Sequence, residues 1–271
     1  MDAISLGYES HCSTVSNPDR LLNKLHLHAQ WVYDQNWNVK YWEYLTRFND
    51  IAGKVVADCF EVLERDENSF KWYSTVITKV VEKILDDKQH NPLSINTLPN
   101  DILDNQFIDK SLELLQIAPE NQSIILEIVE KPFGSDEAIQ LIWNKLLFLQ
   151  NKWIRIAIDD IHFTHHSIPD EPSQWKENLE SLLEQWLLPD VVKIDGKKMN
   201  ILFENKDNPD FKELIQTYKS WLDNISQQII ASWKECIIVA EWVNTPEEIT
   251  FATSLWCNAF QWFELKELFN K

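Results

Sequence analysis

The stretch W-I-R-I-A-I-D-D, from Trp153 to Asp160, constrains this chain more than any other. A short β-branched apolar run ends in two adjacent carboxylates, and a polar loop rich in histidine follows. That is the pattern of a strand buried on both faces whose C-terminal end presents oxygen ligands or a reactive group. Asp159 and Asp160 would also suit a plain strand exit and helix cap. The weight therefore rests on repetition, because the same design of apolar run, polar end and helix returns along the chain.

The runs fall in order. L-H-L-H-A-Q-W-V-Y-D at 25–34 alternates as a strand, and a second follows from Val39 to Phe48 after Gln35-Asn36. Further strands are expected at 93–98, 123–129, 153–160, 191–195, 237–243 and 259–265. Helical spacing marks 57–65, 72–86, 105–115, 135–149, a helix that Pro169-Asp170-Glu171-Pro172 starts and that runs to about Trp186, 210–231, and a helix near Pro246. The polar segment F-E-N-K-D-N-P-D reads as a loop insertion before the helix at 210. Eight strand candidates, six of them followed by helices, are the layout of a modified TIM (β/α)8 barrel of the α/β class, with functional groups at the C-terminal strand ends. No linker divides the chain, so a single barrel domain is expected over 23–271 after a polar leader or cap at 1–22.

Composition removes several function classes. The chain has 25 basic and 43 acidic residues, a net charge of −18, and a field of that sign repels long nucleic acid and anionic membranes. No run is long enough to span a bilayer and the N-terminus lacks a signal-peptide pattern, so a cytoplasmic protein is expected. Cys12, Cys59, Cys236 and Cys257 form no C-x-x-C pair and read as free thiols. Four glycines against thirteen tryptophans leave few phosphate-cradling loops, and no G-x-G-x-x-G or P-loop motif is present. His26 and His28 have the spacing of a metal pair on one strand face, although histidines so placed more often pack with satisfied nitrogens.

Strand side chains alternate faces, so a shared site demands consistent parity. Glu43 shares a face with Leu45 and Arg47, Glu127 with Ile125, Asp159 with Ala157, Lys193 with Asp195, and Glu241 with Val239. If the apolar members point into the barrel, Glu43, Glu127, Asp159, Lys193 and Glu241 meet at its mouth, with Asn96 and Asp160 placed to complete the ring. Carboxylates so close cannot all stay ionised without cations. Hard divalent ions with oxygen ligands would satisfy them, and a lysine among them suits orienting a metal-bound water or offsetting charge on a leaving group. Scattered strand-end caps are the competing reading.

At this point the residues resemble the EAL-domain phosphodiesterases, which hydrolyse cyclic di-GMP. E-Y-L-T-R at 43–47 is similar to the family's E-A-L-x-R, and Q-W-V-Y-D at 30–34 to its Q-P-I-V-D. S-I-N-T-L at 94–98 resembles V-N-L-S, L-E-I-V-E at 126–130 resembles L-E-I-T-E, and A-I-D-D-I at 157–161 resembles A-L-D-D-F. L-P-D-V-V-K-I-D at 188–195, V-A-E-W-V-N-T-P-E-E at 239–248 and Q-W-F at 261–263 resemble the remaining blocks. The resemblance runs from about Leu25 to Leu265.

The resemblance implies two Mg2+ or Mn2+ ions. Glu43, Asn96, Glu127 and Asp159 hold one; Asp159, Asp160 and Glu241 hold the other. It implies a nucleophilic water held by Lys193 with Asp195 and Glu241 nearby. Gln30, Leu45, Arg47 and Gln261 contact the dinucleotide, and Glu130 steadies the loop after Asp160. The expected activity is hydrolysis of cyclic di-GMP to linear pGpG, and the expected partners are the dinucleotide, a second copy in a homodimer, or another protein.

The departures set the alternative, a catalytically impaired relative acting as a cyclic di-GMP receptor or protein-protein interaction module. The loop D-F-G-T-G-Y-S-S reads here D-I-H-F-T-H-H-S from Asp160, and His162, His165 and His166 could with Asp160 bind zinc or iron instead. In the A-E-G-V-E block the glycine is Trp242 and the second glutamate is Asn244. Parity turns Trp242 and Trp262 toward the helical shell rather than into the mouth.

Overall fold

The computed structural model describes residues 17–48, 59–60, 62–64, 66–86, 91–119, 122–129, 135–161, 188–231, 235 and 237–261. The expectations for Glu130, His162, His165, His166, Trp262 and the helix from 169–172 to about 186 fall outside the described residues.

The chain enters through α1 (Pro18–Lys24), whose Asn17 side chain accepts a hydrogen bond from the Arg20 amide. The polar leader read at 1–22 thus ends in a helix that buries Leu21 and Leu22. Strands β1 (Leu25–Asp34) and β2 (Val39–Phe48) follow as an antiparallel pair. The connection at residues 35–38 is far too short for a crossover, so the two strands can only form a hairpin. Asp34 Oδ1 closes it by accepting from the amides of Asn36 (2.8 Å) and Asn38 (3.0 Å).

From β2 the chain alternates helices and strands. The helix α2 (Asp66–Asp86) leads to β3 (Leu93–Thr97), α3 (Pro99–Leu103), α4 (Phe107–Ile117) and β4 (Ile124–Ile128). Then come α5 (Asp136–Gln150), β5 (Arg155–Ile161), β6 (Val191–Ile194), α6 (Gly196–Glu204) and α7 (Pro209–Ala231). The series closes with β7 (Ile237–Ala240), α8 (Pro246–Ser254) and β8 (Ala259–Gln261). The strands form one closed barrel in chain order: β2 to β8 are parallel, and β1 runs antiparallel to both neighbours.

Besides α1 in the expected leader and α3, where the sequence predicts no helix at 99–103, two elements near the site differ from the sequence reading. A helix, α6, occupies 196–204, where the sequence suggested strand end and loop; Asp195 caps it, and Met199 and Leu202 bury one face. Strand β7 stops at Ala240 rather than 243, because Trp242 takes a left-handed backbone with φ 55°.

The core has two layers. Inside the barrel lie Val32, Tyr41, Ile125, Ala157, Val191, Ile237, Val239 and Ala259. Between barrel and helices packs the larger set, including Ile95, Leu126, Ile156, Val192, Ile238, Leu146 and Leu222. Each fully buried aliphatic side chain contributes about 1.5–3 kcal/mol, so this double layer holds the strand ends in place. At the mouth, Thr245 and Glu248 form a reciprocal capping box that starts α8 just after Glu241.

Candidate active site

Each inward residue of the barrel layer except Ile237, which lies two positions below Val239, is two positions from a polar one nearer the mouth. Tyr41 precedes Glu43, Ile125 precedes Glu127, Ala157 precedes Asp159, Val191 precedes Lys193, Val239 precedes Glu241, and Ala259 precedes Gln261. On the reversed β1 the order inverts, so Gln30 stands above Val32 and opposite Glu43. One parity relation therefore delivers seven polar side chains to one level.

At that level Lys193 is the hub. Its Nζ lies 2.5 Å from Glu127 Oε1, 2.8 Å from Glu241 Oε1, 2.9 Å from Asp159 Oδ1 and 3.2 Å from Glu43 Oε2. Glu43 Oε2 also accepts from Gln261 Nε2, and its Oε1 accepts from Asn96 Nδ2 at 3.4 Å. Ser94 Oγ donates to Glu127 Oε2 at 2.6 Å. Glu43, Glu127, Lys193 and Gln261 are all buried.

The electrostatics follow from crowding like charges in a dry place. Burial, then the Glu43 carboxylate, pushes Glu127 well above the usual carboxylate range. Burial likewise raises Asp159 and Glu241 against the opposing pull of Lys193. For Lys193 burial favours the neutral amine, but Asp159, Glu127, Glu241 and Glu43 outweigh it and hold the ammonium well above its ordinary value. One ammonium does not neutralise four carboxylates, and Asp160 adds a fifth.

This donor set suits hard cations. Donor oxygens of Asp159, Asp160 and Glu241 all lie within 4.8 Å of one another, the one such cluster of three or more acid, histidine or cysteine groups among the described residues. Asn96 Oδ1 and Gln261 Oε1 are buried without a hydrogen-bond partner, leaving neutral oxygens able to coordinate. Asp160 has φ 50°, a left-handed conformation that aspartate tolerates better than most residues. His26 and His28 stand opposite Arg47 and Leu45 on β1 and are not part of that cluster.

The remaining candidates sit around this centre. Leu45 and Arg47 line a cavity of about 230 Å³ together with Asn96, Phe60, Glu64 and Trp72. Arg47 Nη1 donates to the Thr46 carbonyl at 2.9 Å. Asp195 Oδ1 accepts from the amides of Lys197 (2.6 Å) and Lys198 (3.1 Å), so it caps α6. Trp242 packs against Gly196 at the start of α6, where an added Cβ would fall 2.4 Å from its Cγ; β7 has already ended at Ala240, so strand parity does not set this side chain's direction. Sequence reading missed Ser94 and Tyr41, although both lie two residues before a named ligand on its face and were open to the same parity argument.

Fold and centre together define an eight-stranded α/β barrel with an acidic, cation-suited site at the C-terminal strand ends. The EAL domain model matches residues 18–170, and the chain belongs to the EAL domain family. No curated protein matches it. Among solved structures it is similar to the PaMucR phosphodiesterase in complex with c-di-GMP, at 20% identity and TM-score 0.67, covering 90% of this chain and 96% of that one. It is similar to the EAL enzyme Bd1971, bound to cAMP and cyclic di-GMP, at 15% identity and TM-score 0.66; the match covers 96% of this chain and 66% of that one. The Bacillus subtilis YkuI protein, with an EAL domain, in complex with c-di-GMP and calcium, matches at 16% identity and TM-score 0.65, over 93% of this chain and 58% of that one. At these identities the likeness shows the fold. No helix among the described residues is long and apolar enough to cross a membrane.

Proposed function

We propose that this protein is a cytoplasmic, metal-dependent phosphodiesterase that hydrolyses cyclic di-GMP to linear pGpG. The observation that carries this reading is the convergence of Glu43, Glu127, Asp159 and Glu241 on Lys193, with Asp160 beside two of them. Glu43, Asn96, Glu127 and Asp159 would hold one Mg2+ or Mn2+, and Asp159, Asp160 and Glu241 the other. Such a pair of ions, when bound, supplies an activated water and stabilises the attacking and leaving oxygens of an in-line displacement. It also lets an acidic protein accept a phosphodiester.

The chain's own groups do the rest. Lys193 donates to the attacking water and offsets negative charge at the reacting phosphate. Glu241 takes up that water's proton, and Asp195, which caps α6 just beyond β6, supports it. Gln30, Leu45, Arg47 and Gln261 hold the dinucleotide, a reading supported by the cavity that Leu45 and Arg47 line together with Asn96.

A receptor without turnover is the second reading, favoured by the four ion pairs that Lys193 makes with the ligand carboxylates and by the altered loop. The test is incubation of purified protein with cyclic di-GMP and Mn2+ or Mg2+ beside a Glu43→Ala control. Linear product that disappears in the control supports the enzyme. Tight binding without product supports the receptor, and neither result supports an interaction module.

A further inference from the structure

Left-handed backbone is where this chain is least ordinary. Among the described residues, five non-glycine positions have positive φ: Trp37 (66°), Trp153 (71°), Asp160 (50°), Trp242 (55°) and Trp256 (72°). Four are tryptophans. A bulky residue there is a true outlier, since its Cβ crowds the following carbonyl; glycine carries no such penalty.

The surrounding hydrogen bonds define what each position requires. After α5, the Trp153 amide donates to Gln150 O (3.1 Å) and the Ile154 amide to Leu149 O (3.2 Å). After α8, the Trp256 amide donates to Thr253 O (3.1 Å) and the Cys257 amide to Ala252 O (3.1 Å). Both are complete Schellman motifs whose left-handed residue is ordinarily glycine, with Ile154 and Cys257 buried just beyond. In the β1–β2 hairpin the Trp37 amide donates to Asp34 O (3.0 Å), and Trp37 takes the left-handed place after the turn where glycine ordinarily forms the closing bulge. Trp242 follows Glu241 and terminates β7.

Two of the side chains make local contacts, Trp37 edge-on to Tyr33 (ring centroids 6.2 Å) and Trp242 over Gly196, but none of the four is buried. All four are exposed, Trp153 by 85%. Three sit at the strand-entry end of the barrel and Trp242 at the mouth, so they do not make one docking patch. Meanwhile the chain has four glycines and thirteen tryptophans, where average usage would give about 19 glycines. Gly196, the one glycine among the described residues, does not occupy a left-handed position.

We propose that residues 37, 153, 242 and 256 are glycine in the protein its own cell makes, the codon written as tryptophan being read there as glycine. The triplet UGA is a stop in the standard code and is reassigned to tryptophan in some genetic codes and to glycine in others, so the wrong choice converts one residue into the other. At 242 the change reaches the site: the indole beside Glu241 disappears, and a ligand can approach the β7 rim closely. This last consequence rests on the proposed cyclic di-GMP reading; the residue identities do not.

Peptide mass spectrometry on the protein isolated from its source cells decides the identities. Glycine at the four positions is expected, each peptide being lighter by one indolylmethyl side chain; tryptophan at any of them overturns the proposal there. Recombinant chain carrying Trp37→Gly, Trp153→Gly, Trp242→Gly and Trp256→Gly should melt at a higher temperature than the chain as written, and an equal or lower melting temperature counts against it. For the site, Trp242→Gly alone should tighten cyclic di-GMP binding, and unchanged affinity overturns that consequence. If neither form binds the dinucleotide, the functional reading and this consequence fall, while the mass result still decides the four residues.

Discussion

Lys193 Nζ lies 2.5 Å from Glu127 Oε1, joining two groups that are almost fully excluded from water. The pair is anchored by β4 and β6, which are not neighbours in the barrel, so it spans the mouth. Three further carboxylates share the same ammonium, and removing it leaves them uncompensated in a dry site. Lys193→Met should therefore destabilise the metal-free protein by about 3–5 kcal/mol. Urea denaturation in the presence of a chelator measures this; a loss below ~1 kcal/mol would show that the carboxylates neutralise themselves by protonation.

Glu127→Gln acts in the opposite sense. Burial already penalises the Glu127 carboxylate, and Lys193 keeps three other partners. The metal-free fold should be at least as stable as wild type above neutral pH, while Mn2+ affinity falls by at least the ~10–100-fold expected for losing even an outer ligand contact. Calorimetric titration with Mn2+ checks the second half, and unchanged affinity would remove Glu127 from the ligand set.

Ser94 was not among the residues singled out from the sequence, yet its hydroxyl orients Glu127 at 2.6 Å. Ser94→Ala should weaken metal binding or turnover by ~10–100-fold with little change in fold stability. A variant indistinguishable from wild type in both would make this hydrogen bond incidental.

Away from the site, Asp101 links helices α2 and α3. It accepts from Ser69 Oγ and from the Leu98 amide (2.8 Å), and burial pushes its carboxyl from 3.8 up to about 7 despite both bonds. The folded state thus keeps a proton that the unfolded state has lost, and stability falls as pH rises from about 4 to 7. The loss is on the order of a few kcal/mol. Asp101→Asn, which can still accept and donate, should flatten that slope. Parallel pH profiles for the two proteins would rule the assignment out.

Strand parity was readable in the chain itself. The alternation of Ile125 with Glu127, Ala157 with Asp159 and Val239 with Glu241 is a local property of extended backbone, so it places each pair on one shared face before any pairing is known. The barrel class followed for the same reason, from runs and helices in order. The helix at 196–204 escaped notice because it starts from a tertiary-positioned cap, Asp195, and shows its apolar face only at Met199 and Leu202.

What no local pattern carries is which residues meet across the barrel. Alternation puts Lys193 inside, but only closure of eight strands sets its ammonium among carboxylates from β2, β4, β5 and β7 rather than beside one neighbour. The reversal of β1, which stands Gln30 opposite Glu43, comes from a hairpin whose consequence appears only when β8 closes against it. The left-handed geometry at 37, 153, 242 and 256 is likewise a demand of the folded backbone, and it conflicts with the residue written at each place. Periodicity is set by neighbours along the chain, whereas register, closure and backbone strain are set by neighbours in space.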